Sequence, residues 1–172
     1  MDQPTETTIV EITPSARIDT ATHGWRAKCL QRLIRMNLPV PRSFAIPAAA
    51  VRAIAAGRPL PGADLGRLIG SAGGLLGVRP SALDPEWGGP RSVLNVGMNA
   101  ARHAELTETL GAEAADALYR GFVQAYAIHV ARLDPDMFSD SEATLSEALR
   151  SYQDETDEEF PQDPERQLVE VL

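Results

Sequence analysis

The chain has 172 residues, of which 44% are hydrophobic and only 5% aromatic, and its net charge at pH 7 is −8. This length fits one domain, or one domain with a small appended lobe. So few aromatic residues argue against a protein that binds nucleic acid by stacking on its bases. No apolar run reaches the ~18 residues of a membrane-spanning helix, and the acidic residues 1–6 lack the apolar stretch of a signal peptide.

The lone cysteine and the distribution of charge further restrict the class of protein to which the chain can belong. A single cysteine, Cys29, excludes an intrachain disulfide framework and fits a reducing compartment. We therefore expect a cytoplasmic protein that binds neither nucleic acid nor membrane. Residues 140–172 carry 11 Asp and Glu against 2 Arg, so the acidic charge lies in the C-terminal third and the remainder is nearly neutral.

Strand and helix signals alternate along the first half of the chain. The β-branched residues at 7–12 predict a strand, and an apolar repeat of helical spacing predicts a helix over 23–36. Asn37 stands where a helix C-cap is expected, and prolines follow it. The pattern then predicts a strand at 43–46, an alanine-rich helix opened by Pro47 and closed by Gly57, a short helix at 64–69, a strand at 75–78 and a loop at 80–90.

Helical spacing dominates after a second apolar segment at 93–99. It predicts helices over 100–110 and 112–133, a break at Asp134-Pro135, a helix over 141–152 capped by Asp140 or Ser141, and a last helix that begins at Asp163-Pro164. We therefore predict an α+β fold. Its α/β lobe is expected to span residues 1–99, and a helical lobe with an acidic C-terminal segment is expected to span residues 100–172.

Arg79 is the leading candidate for a binding residue. A short apolar strand delivers it into a loop beside glycine and proline. A guanidinium in that setting is a common way to hold a phosphate. The alternative is a surface arginine at a strand end, or one that is paired with a carboxylate, because exposed arginines are common.

Arg26 is a second candidate, since it stands early in the helix predicted over 23–36. A cation there could cooperate with free backbone N–H groups to bind an anion. Equally, Arg26 could belong to the solvated face of an amphipathic helix, together with Lys28, Arg32 and Arg35.

The loop over 84–91 is the third candidate for a phosphate site. Gly88 and Gly89 allow a ligand to approach the backbone closely, and Arg91 follows them. The chain has no Gly-x-x-x-x-Gly-Lys pattern, so this loop is not a P-loop.

Other chemistries have less support. The three histidines are scattered and one cysteine makes no zinc site, so we expect no metal centre. His129 is interpreted as a core or boundary residue, and Cys29 as a buried small hydrophobic residue. The acidic run at 154–159 lacks EF-hand spacing and is interpreted as a solvated linker.

Several segments resemble the N-terminal, ATP-binding domain of the pyruvate phosphate dikinase family, in that family's order. The segment 78–82 is similar to the family's Val-Arg-Ser-Gly-Ala, and 93–99 is similar to its Val-Leu-Asn-Leu-Gly-Leu-Asn. Nearer the N-terminus, 23–30 is similar to its Gly-Gly-Lys-Gly-Ala-Asn-Leu, and 37–41 to its Gly-Leu-Pro-Val-Pro. In the helical half, 119–126 is similar to its Tyr-Arg-Arg-Phe-Ile-Gln-Met-Phe, and 159–168 to its Phe-Pro-Gln-Asp-Pro-x-x-Gln-Leu. Together these segments span nearly the whole chain.

The resemblance implies the start of an ATP-grasp nucleotide-binding domain that is interrupted by a helical subdomain. It places the family's ATP-contacting lysine at Arg26 and its phosphate-contacting arginine at Arg79. The family loop that closes over the nucleotide falls at 85–92, where Arg91 replaces an aspartate and the methionines are missing. The metal-binding half of the site, the phosphohistidine domain and the pyruvate domain would lie beyond Leu172.

These observations lead to two functional expectations. The first is a stand-alone module that binds ATP or another nucleotide or phosphate through Arg26 and Arg79, with no catalytic residue of its own. Mg²⁺ would enter only where a partner supplies ligands, because phosphoryl transfer depends on metal ions that this half-site lacks. The alternative is a degenerate scaffold that binds a protein partner or a second copy and no nucleotide.

Overall fold

The computed structural model describes residues 8–58, 65–71, 74–84, 92–140 and 142–172. The described residues form two compact units: residues 8–58, 80–84 and 172 in the first, and residues 65–71, 74–79, 92–140 and 142–171 in the second. The fold is mixed α+β, 56% helical with two small antiparallel sheets, so the α+β prediction is confirmed at this level. The lobe boundary at residue 99 stays a prediction, and in these units residues 65–79 and 92–99 lie with the helices.

Among its described residues, the first unit contains a two-stranded sheet and two helices. Strand β1 (Val10–Glu11) pairs antiparallel with β2 (Phe44–Ala45), so both predicted strands are present in shorter form. Helix α1 runs over Thr20–Arg35 and helix α2 over Ala48–Ala55. One apolar core cluster of this unit contains Ile12, Ile18, Ala27 and Ala45.

Helix α1 buries a face that contains a polar side chain. Gln31 is fully buried, and its Nε2 donates to the carbonyls of Thr13 (3.1 Å) and Ala16 (2.6 Å). These bonds replace the ones that the amide would make with water, so Gln31 can be fully buried although its side chain is polar. Helix α1 ends at Arg35 with Met36 as its C-cap, one residue before the predicted Asn37, which follows in the left-handed conformation (φ 55°).

Cys29 is exposed, so the prediction of a buried cysteine is wrong. The buried positions of α1 include Ala27 and Gln31, four residues apart on one face. Because successive residues are rotated by about 100°, Cys29 lies nearly opposite both of them. The apolar repeat of α1 has members on two sides of the helix, and the sequence does not distinguish which side is covered.

The second unit combines a β-hairpin with six helices among the residues described. Strands β3 (Leu76–Val78) and β4 (Val93–Val96) pair antiparallel. The helices are α3 (Leu65–Ser71), α4 (Ala100–Leu110), α5 (Ala112–His129), α6 (Pro135–Phe138), α7 (Leu145–Thr156) and α8 (Pro164–Val171). Helix α5 packs against α4, α7 and β4, which makes it the centre of the unit.

An aromatic cluster forms the core around α5. The ring of Phe160 lies 5.2–6.0 Å, between centroids, from the rings of Tyr119, Phe122, Tyr126 and Tyr152, all in edge-on geometry. Phe160 directly follows the acidic run at 154–159, whose first residues complete helix α7. The acidic segment is therefore anchored to the unit at both ends, and the interpretation as a linker is wrong, although its carboxylates are exposed.

Helix α8 is tied to α5 and to the acidic segment by polar bonds. The Tyr126 hydroxyl donates to the Glu170 carboxylate, which also accepts from Arg166 Nε (2.9 Å). Arg166 Nη2 donates to Glu158 at 3.3 Å. Burial and the neighbouring Glu170 carboxylate raise the pKa of the Tyr126 hydroxyl, so it stays a donor at all ordinary pH values.

Two helix boundaries differ from the prediction. Helix α5 ends at His129 rather than at 133, and Arg132 adopts the left-handed conformation (φ 60°), which no α-helix continues. Helix α7 begins after Thr144 rather than at 141. The Thr144 hydroxyl accepts from the Glu147 backbone N–H and the Glu147 carboxylate accepts from the Thr144 N–H, which is a capping box.

Replacing Thr144 by alanine is expected to lower the free energy of unfolding of the second unit by about 1 kcal/mol, because one first-turn N–H loses its cap. Urea denaturation followed by circular dichroism measures the change. Glu155→Ala, an exposed change on the same helix, is the control and is expected to alter stability by less than about 0.5 kcal/mol. Equal losses in the two variants would contradict the capping role.

The capping box also predicts a pH dependence. Its hydrogen bonds from the backbone and hydroxyl of Thr144 lower the pKa of the Glu147 carboxyl from its usual 4.5. A lowered folded-state pKa contributes stability that is present above the unfolded value and is lost as pH falls through the folded value. The difference in stability between Glu147→Ala and the parent chain is therefore expected to shrink as pH falls below 4.5, whereas Thr144→Ala keeps the backbone N–H that is the largest cause of the lowered pKa.

Candidate functional site

Within the first unit, the start of α1 is joined to the loop that follows Pro80. The backbone N–H of Trp25 donates to the Ala82 carbonyl at 2.9 Å. The backbone N–H of Ala27 donates to the Ser81 hydroxyl at 3.1 Å. Residues more than 50 positions apart in the sequence thus meet at the first regular turn of the helix.

Gly24 makes this contact possible. Its backbone is non-helical (φ 79°, ψ 172°) and breaks α1 after a short first segment. A Cβ atom at this position would lie 1.9 Å from the Ser81 carbonyl oxygen, well inside any permitted contact. Both the positive φ and the close approach therefore require glycine.

The predicted role of Arg26 is modified by these bonds. The N–H groups of Trp25 and Ala27, on either side of it, already donate to the 81–82 loop. Its own side chain is exposed and has no hydrogen-bond or ion-pair partner among the residues described. Arg26 therefore offers its guanidinium, rather than a set of free amides, to an anion.

The other predicted residues are placed as follows. Arg79 directly follows β3, belongs to the second unit, and is exposed without a partner in the described part of the chain. Gly88, Gly89 and Arg91 lie outside the described residues. Exposure alone does not distinguish a binding arginine, because several others share it: Arg17, Arg32, Arg52, Arg58 and Arg132.

His23 is a residue that the sequence analysis did not single out. It is 9% exposed, its Nδ1 accepts from the Asp19 N–H at 3.3 Å, and its Nε2 is buried with no hydrogen-bond partner in the described structure. With Nδ1 as acceptor, the neutral ring carries its proton on Nε2. The sequence gives no sign that His23 is buried, since a histidine before a glycine is common.

In the second unit, Gln167 forms a buried hydrogen-bond network with the backbone of Gly97, Met98 and Pro161. Gln167 accepts from the Gly97 N–H (2.8 Å) and donates from Nε2 to the carbonyls of Met98 (2.8 Å) and Pro161 (2.6 Å). Gly97 has φ 103°, and a Cβ there would lie 2.3 Å from the Gly74 carbonyl oxygen. Gln167 thus hydrogen-bonds the backbone of the turn at Gly97, a turn that requires glycine.

Gln162 fixes the other side of the same turn. Its Oε1 accepts from the Ala100 N–H (2.9 Å), and its Nε2 donates to the Tyr119 hydroxyl (3.0 Å). Asn99 caps helix α4 through the Arg102 N–H and donates from Nδ2 to the Gln162 carbonyl (3.0 Å). The segments 93–99 and 159–168 are therefore joined by hydrogen bonds of their polar residues, which stabilise the fold.

No protein-family model and no curated protein matches the chain. Its functional assignment therefore depends on the residues themselves. In the part of the chain that the structure describes, no group of three or more His, Cys, Asp or Glu side chains is gathered as a metal ion requires. None of the described helices is both long enough and apolar enough to cross a membrane.

Proposed function

We propose that this chain is a phosphate- or nucleotide-binding module of the ATP-grasp type, related to the N-terminal domain of pyruvate phosphate dikinase. Arg26 and Arg79 hold the phosphate, and ATP is the ligand that the resemblance favours. The observation that supports the proposal is the contact of residues 81–82 with residues 24–27.

This contact matters because the two segments are far apart in the sequence and both contain a candidate phosphate-binding arginine. The sequence marks 23–30 and 78–82 as phosphate-handling segments, and the first unit joins 24–27 to 81–82 by two hydrogen bonds. Gly24 is required at the point of closest approach. The contact holds the start of α1 against the 81–82 loop, so the exposed guanidinium of Arg26 projects from the helix segment that this loop contacts.

Arg79 enters the proposal through its place in the chain. It is bonded to Pro80, the residue before Ser81, so the loop that contacts α1 directly follows it. A guanidinium presents a rigid fork of donors that matches phosphate oxygens. The proposal stops at binding: phosphoryl transfer also depends on metal ligands, which we assign to a partner.

The proposal predicts a saturable increase in melting temperature with ATP, since a ligand that binds only the folded state stabilises it by about 2.7 kcal/mol at 100 times its Kd. Arg79→Ala and Arg26→Ala are each expected to raise the Kd at least about tenfold, the equivalent of one charge-assisted hydrogen bond. Thermal-shift titrations with ATP, AMP and inorganic phosphate, each with and without Mg²⁺, measure this.

Arg52→Ala is the control, because Arg52 lies on helix α2 in the first unit, as Arg26 does in α1, and is exposed without a partner among the described residues. It is expected to leave the Kd unchanged. Absence of any shift at millimolar ATP, or equal weakening by Arg52→Ala, would reject phosphate binding at this site.

A further inference from the structure

Helix α1 carries an uncovered apolar face opposite the one it buries. Trp25, Leu33 and Met36 are 37%, 38% and 68% exposed, and Cys29 between them is exposed as well. At about 100° per residue, these four positions fall within an arc of about 80°, over a length of about 16 Å. We call this set the α1 apolar stripe.

The charge of the same helix has one sign. Residues 20–35 contain four cations and no carboxylate. Lys28 donates to the Ile18 carbonyl (2.7 Å) and Arg35 to the Pro14 carbonyl (2.8 Å), which ties both to their own unit. Arg26 and Arg32 are exposed and have no partner in the described part of the chain, and in helical projection they flank the stripe on its two sides.

We propose that the α1 apolar stripe is a docking surface for an amphipathic helix of a protein partner, with apolar residues facing the stripe and carboxylates facing Arg26 and Arg32. Three turns of stripe match the length over which two helices interlock side chains. Because positive charges flank the stripe on both sides, they favour an acidic partner and repel a basic one. This inference does not depend on phosphate binding.

The stripe fits two other occupants less well. A membrane-bound helix needs an apolar face of at least about 100°, which is wider than the arc of about 80° that the stripe covers. A second copy that placed α1 against α1 would bring eight cations together without a carboxylate.

The lone cysteine makes the docking surface directly measurable, since Cys29 lies in the middle of the stripe. The probe is a designed 16-residue helical peptide with a leucine stripe flanked by glutamates. We expect it to slow alkylation of Cys29 at saturation. The charge-reversed lysine peptide and a scrambled glutamate peptide are expected to give no protection.

Two variants test the assignment on the full chain. Leu33→Glu is expected to raise the Kd of the glutamate peptide roughly 10- to 100-fold, as loss of one buried leucine predicts. Arg32→Glu is expected to raise it about tenfold while leaving ATP titrations unchanged, which separates this proposal from phosphate binding. Leu110→Glu, an exposed leucine of the second unit, is the control that leaves both unchanged.

The other results overturn the proposal. The first is that the glutamate peptide at 1 mM (~4 kcal/mol of affinity) does not protect Cys29 from alkylation. The second is that the lysine or the scrambled peptide protects Cys29 equally well. The third and fourth are that phosphatidylserine vesicles protect Cys29 instead of the peptide, and that protection rises with protein concentration alone. The last two identify a membrane or a second copy as the occupant.

Discussion

Gln167→Ala is expected to lower the free energy of unfolding of the second unit by about 3–5 kcal/mol. The substitution removes three hydrogen bonds and leaves the Gly97 N–H and the carbonyls of Met98 and Pro161 buried without this partner. Each buried polar group without a partner costs about 1–3 kcal/mol. The side chain is fully buried, so a cavity also remains.

The tyrosines provide a selective readout for this variant. All three tyrosines of the chain lie in the aromatic cluster of the second unit, whereas Trp25 lies in the first. Urea denaturation followed by tyrosine near-UV circular dichroism should show the loss with little change in m. Gln153→Ala, an exposed glutamine on α7, is the control; a loss below about 1 kcal/mol for Gln167→Ala would contradict its proposed role.

Gly24→Ala is expected to destabilise the first unit by about 3 kcal/mol or more and to weaken phosphate binding. A Cβ at this position would lie 1.9 Å from a backbone oxygen of Ser81, so either the loop or the helix must move. Movement breaks the bonds of Trp25 and Ala27 to that loop. Trp fluorescence during denaturation measures the stability, and an ATP titration measures the binding.

Gly57→Ala separates the two causes of that loss. Gly57 also has a positive φ (66°), but a Cβ there would meet nothing within 4 Å. It is therefore expected to cost only the backbone strain, about 1–2 kcal/mol. Similar losses in the two variants would show that the close approach of Gly24 to Ser81 contributes nothing.

Elements marked by local chemistry were predicted well. The 100–110 helix has its predicted bounds, with Asn99 as its cap and Gly111 after it, and the last helix begins at Pro164 as expected. Such boundaries depend on residues next to each other, which the sequence displays. The start of α7 was missed although Thr144 and Glu147 form a capping-box pattern, because Asp140 offers a competing cap that instead bonds the Glu142 N–H.

Features that depend on distant residues could not be predicted. Helix α1 has apolar residues on two faces, and hydrogen bonds from Gln31 to the segment before the helix decide which face is covered. The contact of Gly24 with Ser81 joins segments whose separation in sequence carries no sign of pairing. The phosphate-binding role of Arg26 and Arg79 stays a prediction, and it depends on the family resemblance more than on the local sequence pattern.

The Gln167 network has a consequence for protein synthesis. The hydrogen-bond partner of the Gly97 N–H is Gln167, which lies 70 residues later in the chain. A ribosome translates this stretch in roughly 4–14 s at about 5–20 residues per second. Until then, β4 and the turn after it present Val96 and Met98, both fully buried later, together with unpaired backbone. An apolar strand in that condition is a target for chaperones and for misassembly. We expect nascent chains that end between these points to bind chaperones through residues 93–98.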